Sequence, residues 1–175
     1  MLQTQPPLLA WATAENYAAC AKRVRGGDGE CEARLAFALP RLEGYIRWDM
    51  TQRRDRSNKT KLFFWTKGTE SGMDNSQRWD FTPGRGEKAT EEMSSLLVTD
   101  LSVFVAREAA FISQLATAMK NISAAIYWQG VASTLSQQIH ETLWDDSVGL
   151  YMDRFSGPAP KPGFSTVKAV TGLMP

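Results

Sequence analysis

Apolar side chains recur every three to four residues in several stretches of the chain, the spacing of one face of an α-helix. The first stretch runs from Leu8 to about Lys22 and ends before a glycine pair. The second runs from Glu32 to about Arg54 and contains Pro40. Proline removes a backbone donor and clashes with the preceding turn, so we expect the second helix to break there.

Two longer helices are predicted in the second half of the chain. Thr99 and Asp100 are good N-cap residues for the first, and the second should run from Ser123 to Leu143. A short connection separates them, so they should pair as an antiparallel hairpin. The side chains expected to face the core are Leu101, Phe104, Val105, Ile112, Leu115 and Met119, then Ile126, Val131, Leu135, Ile139 and Leu143.

Helical periodicity is lost between Asp55 and about Gly86, where we expect a long ordered loop of the kind that often carries function. This loop contains the apolar run Leu62-Phe63-Phe64-Trp65 and then the segment GTESGMDNSQRWD. Near the other end, WDDSVGLYMDRFSG predicts a turn with a short extended segment. A Pro-Gly linker and a new helix at Val167 should follow.

Composition excludes several classes of function. The formal charge is +1, which does not favour nucleic acid or an anionic membrane, so the partner should be a small neutral molecule. His140 is the only histidine, and Cys20 and Cys31 are the only cysteines. A zinc cluster, a Cys-His nucleophile and a Ser-His-Asp triad are therefore excluded within this chain. We expect carboxylate chemistry without a cofactor or metal.

The termini indicate a segment of a longer chain. Pro6 and Pro7 are followed at once by helix-forming residues, and the apolar run after Val167 reaches the last residue without a capping glycine or polar tail. The N-terminus lacks a signal-peptide pattern, and no apolar run is long enough for a membrane span. We therefore expect a cytoplasmic protein with free thiols.

The carboxylates and tryptophans of the loop fit hydrolysis of a glycosidic bond. One carboxylic acid can protonate the leaving oxygen while aromatic faces hold the apolar side of a pyranose. Glu70 and Asp74 are the candidate carboxylates, and Trp65 and Trp79 are the candidate platforms. The amide of Asn75 can hydrogen-bond sugar hydroxyls as donor and acceptor.

The same residues also allow a purely structural interpretation. Asp74-Asn75-Ser76 is a good Asx-type turn leading into a helix, and the tryptophans could be core residues. Gly72 permits a positive φ or a close backbone approach. Farther along the chain, His140, Arg107 and Glu108 are expected on solvated helix faces.

The segment ESGMDNSQRWD resembles the signature of glycoside hydrolase family 63, which contains processing α-glucosidase I and bacterial mannosylglycerate hydrolases. Trehalases carry a related motif. Further landmarks occur in the same order as in bacterial members, so the resemblance covers nearly all 175 residues: QPP, Y-x-x-W before RRD, FFWTKG, VTDLSVF, LWDDSVGLYMD and VKAVTGLMP. The chain departs from the family at Asp55 to Thr60, where relatives have an Asp-x-Asp-Gly-Asn-Gly type of sequence, and at Gln77, where they have proline.

This resemblance implies a mainly α fold, an (α/α)6 toroid or six-hairpin glycosidase. Residues 1–175 would be a fragment of its single catalytic domain, truncated at both ends and holding only the N-terminal part of the ring. The activity implied is hydrolysis of α-linked glucosides or mannosides with inversion. The general base would lie outside this chain, in the remainder of the same polypeptide, and the chain by itself would be inactive.

The resemblance also assigns residues. Asp74 matches the general acid, which must stay protonated near neutral pH, as burial or a nearby negative charge such as Glu70 would favour. Gln5 matches a glutamine that lines the sugar pocket, and Asn75 and Trp65 match pocket positions. The remaining assignments are Trp79 as a substrate contact, Arg78 as an orienting group for an acid, and Glu70 as either a substrate contact or, as we favour, a structural partner of a backbone amide.

Two alternative functions remain open. Within the same class, the protein could be a trehalase-like or debranching α-glucosidase. From another class, it could be a non-catalytic carbohydrate-binding toroid that has lost its base.

Overall fold

A computed structural model describes residues 3–23, 29–57, 59–80, 93–156 and 163–175. These residues form a mainly helical structure, as predicted. Its α-helices are α1 (Leu9–Arg23), α2 (Glu30–Gln52), α3 (Thr99–Ala118) and α4 (Ile122–Leu143). No helix within these ranges is long and apolar enough to cross a membrane.

Helix α2 is continuous through Pro40, so the predicted break is wrong. Pro40 is exposed on α2. The helix loses one backbone donor there, but the apolar side chains on its buried face keep both halves packed on the same core. These buried residues are Leu35, Leu39, Leu42 and Ile46.

Helices α1 and α2 are joined by a disulfide, which corrects the expectation of free thiols. Cys20, near the end of α1, is bonded to Cys31, at the start of α2, with 5.9 Å between their Cα atoms. The two helices pack against each other, and this brings the cysteines together across a sequence separation of 11. The sequence spacing alone did not reveal that contact.

Helices α3 and α4 form the predicted hairpin and bury most of the predicted stripe. Thr99 is the first residue of α3, and Val98 is its N-cap. Asn121 caps α4, because its side chain accepts a hydrogen bond from the Ala124 amide at 3.2 Å. Ile126, predicted to point inward, is 69% exposed, whereas Trp128 is fully buried. Two helical steps rotate a side chain by about 200°, so the two residues lie on opposite faces.

Short strands connect the hairpin to the rest of the structure. Strands β2 (Trp144–Asp145) and β3 (Leu150–Tyr151) form the predicted turn and extended segment. A three-stranded antiparallel sheet has the order β1, β4, β5, with the bounds Leu96–Leu97, Arg154–Phe155 and Gly163–Phe164.

The segment after β5 does not form the α-helix predicted at Val167. It forms a short 3-10 helix, Val170–Leu173, packed against β3. Gly172 there lies so close to the Tyr151 carbonyl that a Cβ would not fit. The predicted Pro-Gly linker and the last part of the predicted loop, 81–86, lie outside the described residues.

Candidate active site

Asp74 and Asn75 occupy the two central positions of a β-turn. The turn is closed by a hydrogen bond from the Ser76 amide to the Met73 carbonyl at 3.0 Å. Both side chains are exposed. The turn lies between two 3-10 helices, Gly68–Glu70 and Gln77–Trp79, so a carboxyl and an amide are presented together from a short, tightly bonded segment.

The indole ring of Trp79 holds this turn through a hydrogen bond. Its Nε1 donates to the Met73 carbonyl at 2.8 Å, and the ring lies against the backbone of Gly68. A Cβ at Gly68 would lie 2.9 Å from Trp79 Cδ1, which explains why glycine is needed there. Gly72 adopts a φ of 71°, the left-handed conformation anticipated from sequence. Trp79 is thus largely buried and braces the loop.

Glu70 is fully buried and links three segments of the chain. Its Oε1 accepts from the Thr4 amide at 3.2 Å and from Arg53 Nη2 at 2.7 Å. Its Oε2 accepts from the Thr66 amide at 2.8 Å. These bonds are the backbone-amide contacts that we favoured for Glu70. Its side chain presents no surface to a sugar in this structure.

Gln5 is exposed beside this cluster, in the extended segment before α1. Its backbone carbonyl accepts from the Tyr45 hydroxyl at 3.0 Å, and the Thr4 hydroxyl lies 3.1 Å from the same oxygen of Tyr45. The Gln5 backbone is therefore held by α2, while its side chain faces outward.

A second buried cluster holds the other end of the acid-bearing loop. Arg78 Nη2 pairs with Asp100 Oδ2 at 2.6 Å, and Arg78 Nη1 lies 3.5 Å from Asp153 Oδ2. Asp100 Oδ1 accepts from Trp65 Nε1 at 3.1 Å. Burial, with the charge of Asp100, raises the pKa of Asp153, although Arg78 opposes the shift. Trp65 is fully buried and fixed by Asp100, and Arg78 orients Asp100 and Asp153.

Hydrogen bonds to the carboxylate of Asp55 hold the segment in which the chain departs from the family pattern. Asp55 is buried, and its carboxylate accepts from the amides of Ser57 and Thr60 at 3.0 Å each and from both hydroxyls. Burial acts to raise the pKa of Asp55, but these bonds outweigh it and lower the pKa. The carboxylate of Asp55 thus holds Ser57 and Thr60 in a compact Asx-type turn.

Glu108 is not on a solvated face, contrary to prediction. It is 2% exposed and accepts from the amides of Ala10 at 2.5 Å and Trp11 at 3.0 Å, so it caps the start of α1 from α3. Burial raises its pKa. His140 is exposed as expected, and its Nδ1 lies 3.1 Å from the Tyr151 hydroxyl.

The predicted site residues therefore separate into two groups. Gln5, Asp74 and Asn75 are exposed and available to a ligand, whereas Trp65, Glu70 and Trp79 are buried or nearly so. The burial that we expected around Asp74 is not supplied by the described residues.

Sequence reasoning missed Asp49, Asp100 and Asp153 as structural carboxylates. Asp100 lies within the segment VTDLSVF, and Asp153 ends the segment LWDDSVGLYMD. An acid next to apolar residues was the feature that could have indicated a buried carboxylate at these positions. Asp49 likewise lies next to an apolar residue, Trp48, in α2.

Comparisons with known proteins show which family and fold the chain resembles. The pattern of the mannosylglycerate hydrolase MGH1-like glycoside hydrolase domain matches residues 2–175. A trehalase of Pimpla hypochondriaca is 28% identical over 102 residues, which are 57% of this chain and 17% of that protein. A trehalase of Apis mellifera is 29% identical over 119 residues, 65% of this chain and 19% of that protein.

Solved structures show the same fold. The family 63 mannosylglycerate hydrolase from Thermus thermophilus, in complex with Tris and D-glycerate, superposes with a TM-score of 0.71 at 19% identity. That match covers 99% of this chain and 50% of the other. The complex of that hydrolase with glucose gives 0.70 at 21% identity, covering 99% and 46%. The chain thus spans about half the length of these relatives.

The family pattern covers nearly the whole chain, and the helical hairpins superpose on a six-hairpin glycosidase. This confirms the predicted fold class, with part of the ring present. The chain belongs to the family of mannosylglycerate hydrolase MGH1-like glycoside hydrolase domains.

Proposed function

We propose that this chain is the acid-bearing part of an inverting α-glycosidase that hydrolyses α-linked glucosides or mannosides, with Asp74 as the general acid. The observation that carries this proposal is the Met73–Ser76 turn, which presents the carboxyl of Asp74 and the amide of Asn75 together at the surface. Two buried ion clusters, around Glu70 and around Arg78, fix the ends of this loop.

A rigid loop suits the chemistry of a general acid. The acid must hold its proton within hydrogen-bond reach of the leaving oxygen, and small displacements of a catalytic group are costly. Asn75 beside Asp74, and Gln5 on the neighbouring segment, supply amide groups for sugar hydroxyls. The buried Trp65 and Trp79 then act by holding the loop.

The general base in this proposal lies in the remainder of the same polypeptide, which also closes the pocket around Asp74. Residues 1–175 are accordingly proposed to be part of one catalytic domain. The length of the solved relatives, about twice that of this chain, supports this view.

The substrate class follows from the same comparison. Relatives include mannosylglycerate hydrolase and trehalases, so an α-mannoside of a small acid and an α,α-linked disaccharide are the first compounds to test. No nucleic acid, membrane or cofactor is needed by this mechanism.

The disulfide affects the proposed location. Cytoplasmic location with free thiols was predicted from the absence of a signal-peptide pattern, and the Cys20–Cys31 bond contradicts the free thiols. Disulfides persist mainly in oxidising compartments, so we propose that the protein acts outside the cytosol.

Asp74→Asn in the full-length protein tests the acid role. Turnover should fall by about 10² or more while the sugar still binds, because an amide cannot donate a proton to the leaving group. Asp80→Asn is the matched control, since Asp80 is an exposed acid just after the Gln77–Trp79 helix, and it should leave turnover unchanged. Near-normal turnover of Asp74→Asn on an unactivated sugar would remove Asp74 from this role.

A further inference from the structure

Beneath the segment that carries Gln5 lies a buried group of three ionisable side chains, Asp49, Arg53 and Glu70. Tyr45 and Asp49 are spaced four residues apart on one face of α2, and Arg53, four residues further on, is the C-cap of this helix. Asp49 and Glu70 are both fully buried, and Arg53 is 3% exposed. The guanidinium of Arg53 pairs with Glu70, and its charge also acts on the pKa of Asp49.

Glu70 forms an ion pair with Arg53. The Nη2–Oε1 distance is 2.7 Å, and the carboxylate also accepts two backbone amides. One of those amides belongs to Thr4, the residue directly before Gln5. A charged acceptor makes such bonds strong, so the backbone at Thr4 is fixed to the loop that carries Asp74.

Asp49 is left without an ordinary hydrogen bond to either carboxylate oxygen. Burial is the main cause that raises its pKa to about 7, and the charge of Glu70 adds to it, while the Thr4 hydroxyl and Arg53 lower it. Tyr45 faces Asp49 from the same helix, and Glu108 of α3 faces Tyr45. An ionised Asp49 would be a costly buried charge.

Thr4 joins this group through its hydroxyl as well as through its amide. The Tyr45 hydroxyl donates to the Gln5 carbonyl at 3.0 Å, and the Thr4 hydroxyl lies 3.3 Å from that carbonyl and 3.1 Å from the Tyr45 oxygen. The buried Asp49 lies beside the same hydroxyl, whose hydrogen bond partly offsets the rise of the Asp49 pKa. Asp49 and Glu70 thus both act on Thr4, the residue before Gln5.

We infer that Asp49 and Glu70 are positioning residues that fix Gln5 for sugar binding, Glu70 through its bond to the Thr4 amide and Asp49 as the buried carboxyl group next to the Thr4 hydroxyl. This inference rests on the proposed function, in which Gln5 contacts the sugar. Neither side chain touches substrate. Both act through the backbone of residues 4 and 5.

Steady-state kinetics of the full-length protein on an α-mannoside or α-glucoside tests this inference. Glu70→Gln should raise KM about tenfold and change kcat less than about threefold, because it weakens the hold on Gln5 and leaves the acid in place. The control is Asp55→Asn, which changes another buried, multiply bonded carboxylate that holds only its own turn. Its KM should stay within about twofold of wild type.

The pH dependence of KM in Asp49→Asn distinguishes a positioning role of Asp49 from a merely structural one. In wild type, KM should rise as the pH passes through about 7, because Asp49 ionises. The asparagine variant cannot ionise, so its KM should match wild type at pH 6 and stay flat to pH 8. A pH dependence of KM that persists in Asp49→Asn would overturn the role of Asp49.

Thr4→Pro covers the case in which Glu70→Gln does not fold. It removes the amide that Glu70 accepts together with the Thr4 hydroxyl, and it should reproduce the rise in KM. If a folded Glu70→Gln or Thr4→Pro variant has the KM of wild type, the inference is wrong while the proposed function stands. If the wild-type protein hydrolyses no α-glycoside, the proposed function fails and this inference fails with it.

Discussion

Arg78 and Asp100 form a fully buried ion pair, with 2.6 Å between Nη2 and Oδ2, that joins the acid-bearing loop to the start of α3. Asp100 also fixes the ring of Trp65 and the amide of Leu101. Removing one partner of a buried pair leaves an uncompensated charge, so this contact should dominate the stability of the loop.

Asp100→Asn should therefore lower the free energy of unfolding by about 3 to 5 kcal/mol. Urea denaturation of the full-length protein, followed by tryptophan fluorescence, would measure the change. Glu30→Gln is the control, because the Glu30–Arg34 pair lies on the exposed surface of α2 and should contribute less than about 1 kcal/mol. Equal effects of the two variants would contradict the importance assigned to the buried pair.

Asp49→Asn should change how stability depends on pH. The pKa of Asp49 is raised from an ordinary 3.8 to about 7 in the folded protein, so the unfolded chain releases this proton first as pH rises. Stability should fall between about pH 4 and pH 7 in wild type, and the variant should lack that part of the fall. Thermal melts at pH 4 and pH 8 would measure it.

The expected gain for Asp49→Asn at pH 8 is on the order of 4 kcal/mol, with little difference at pH 4. Asp55→Asn should show the opposite sign. The pKa of Asp55 is lowered, so the stability it contributes is present above the ordinary pKa and is lost as the pH falls through the folded pKa. A stabilising effect of Asp49→Asn that is equal at both pH values would show that ionisation is not its cause.

Reduction of the Cys20–Cys31 disulfide should destabilise the α1–α2 pair. The bond closes a short loop, for which a loss of about 2 to 4 kcal/mol is expected. Melting with and without a reductant would measure the loss, and the double variant Cys20→Ser, Cys31→Ser should melt at the same temperature in both conditions. Two freely alkylated cysteines in the untreated folded protein would contradict the bond.

Gly68→Ala should displace the turn that holds Asp74. The new methyl group would meet the Trp79 ring, whose Nε1 holds the Met73 carbonyl of that turn, so turnover should fall about tenfold or more. Gly72→Ala is the comparison. Nothing lies within 4 Å of its added Cβ, and only the φ of 71° is strained, at a cost of about 1 kcal/mol. A greater loss of turnover in Gly72→Ala would contradict the assigned role of Trp79.

Local patterns predicted the helices well because apolar spacing reports which face of a helix is buried. The hairpin of α3 and α4 follows from such a pattern. Pro40 and Ile126 were misjudged because their outcome depends on which face of the helix meets a neighbour. That information comes from tertiary packing and is absent from the local sequence.

The candidate site could be predicted only in its exposed part. The ESGMDNSQRWD motif identified the turn with Asp74 and Asn75. Glu70, however, also bonds Arg53 and Thr4, which are 17 and 66 residues away, and Arg78 bonds Asp100, which is 22 residues away. The Cys20–Cys31 bond and the cap that Glu108 provides for α1 are long-range contacts of the same kind. Spacing does not encode such contacts.

The stereochemistry of the first product tests the central claim most directly. Proton NMR of the full-length protein acting on an α-glucoside or α-mannoside should show the β anomer at first turnover, before mutarotation. Inversion requires the second carboxyl group to lie about 6.5 to 9.5 Å from that of Asp74, which leaves room for the attacking water. An α anomer at first turnover would mean a retaining enzyme and would contradict the account of Asp74 as the acid of an inverting pair.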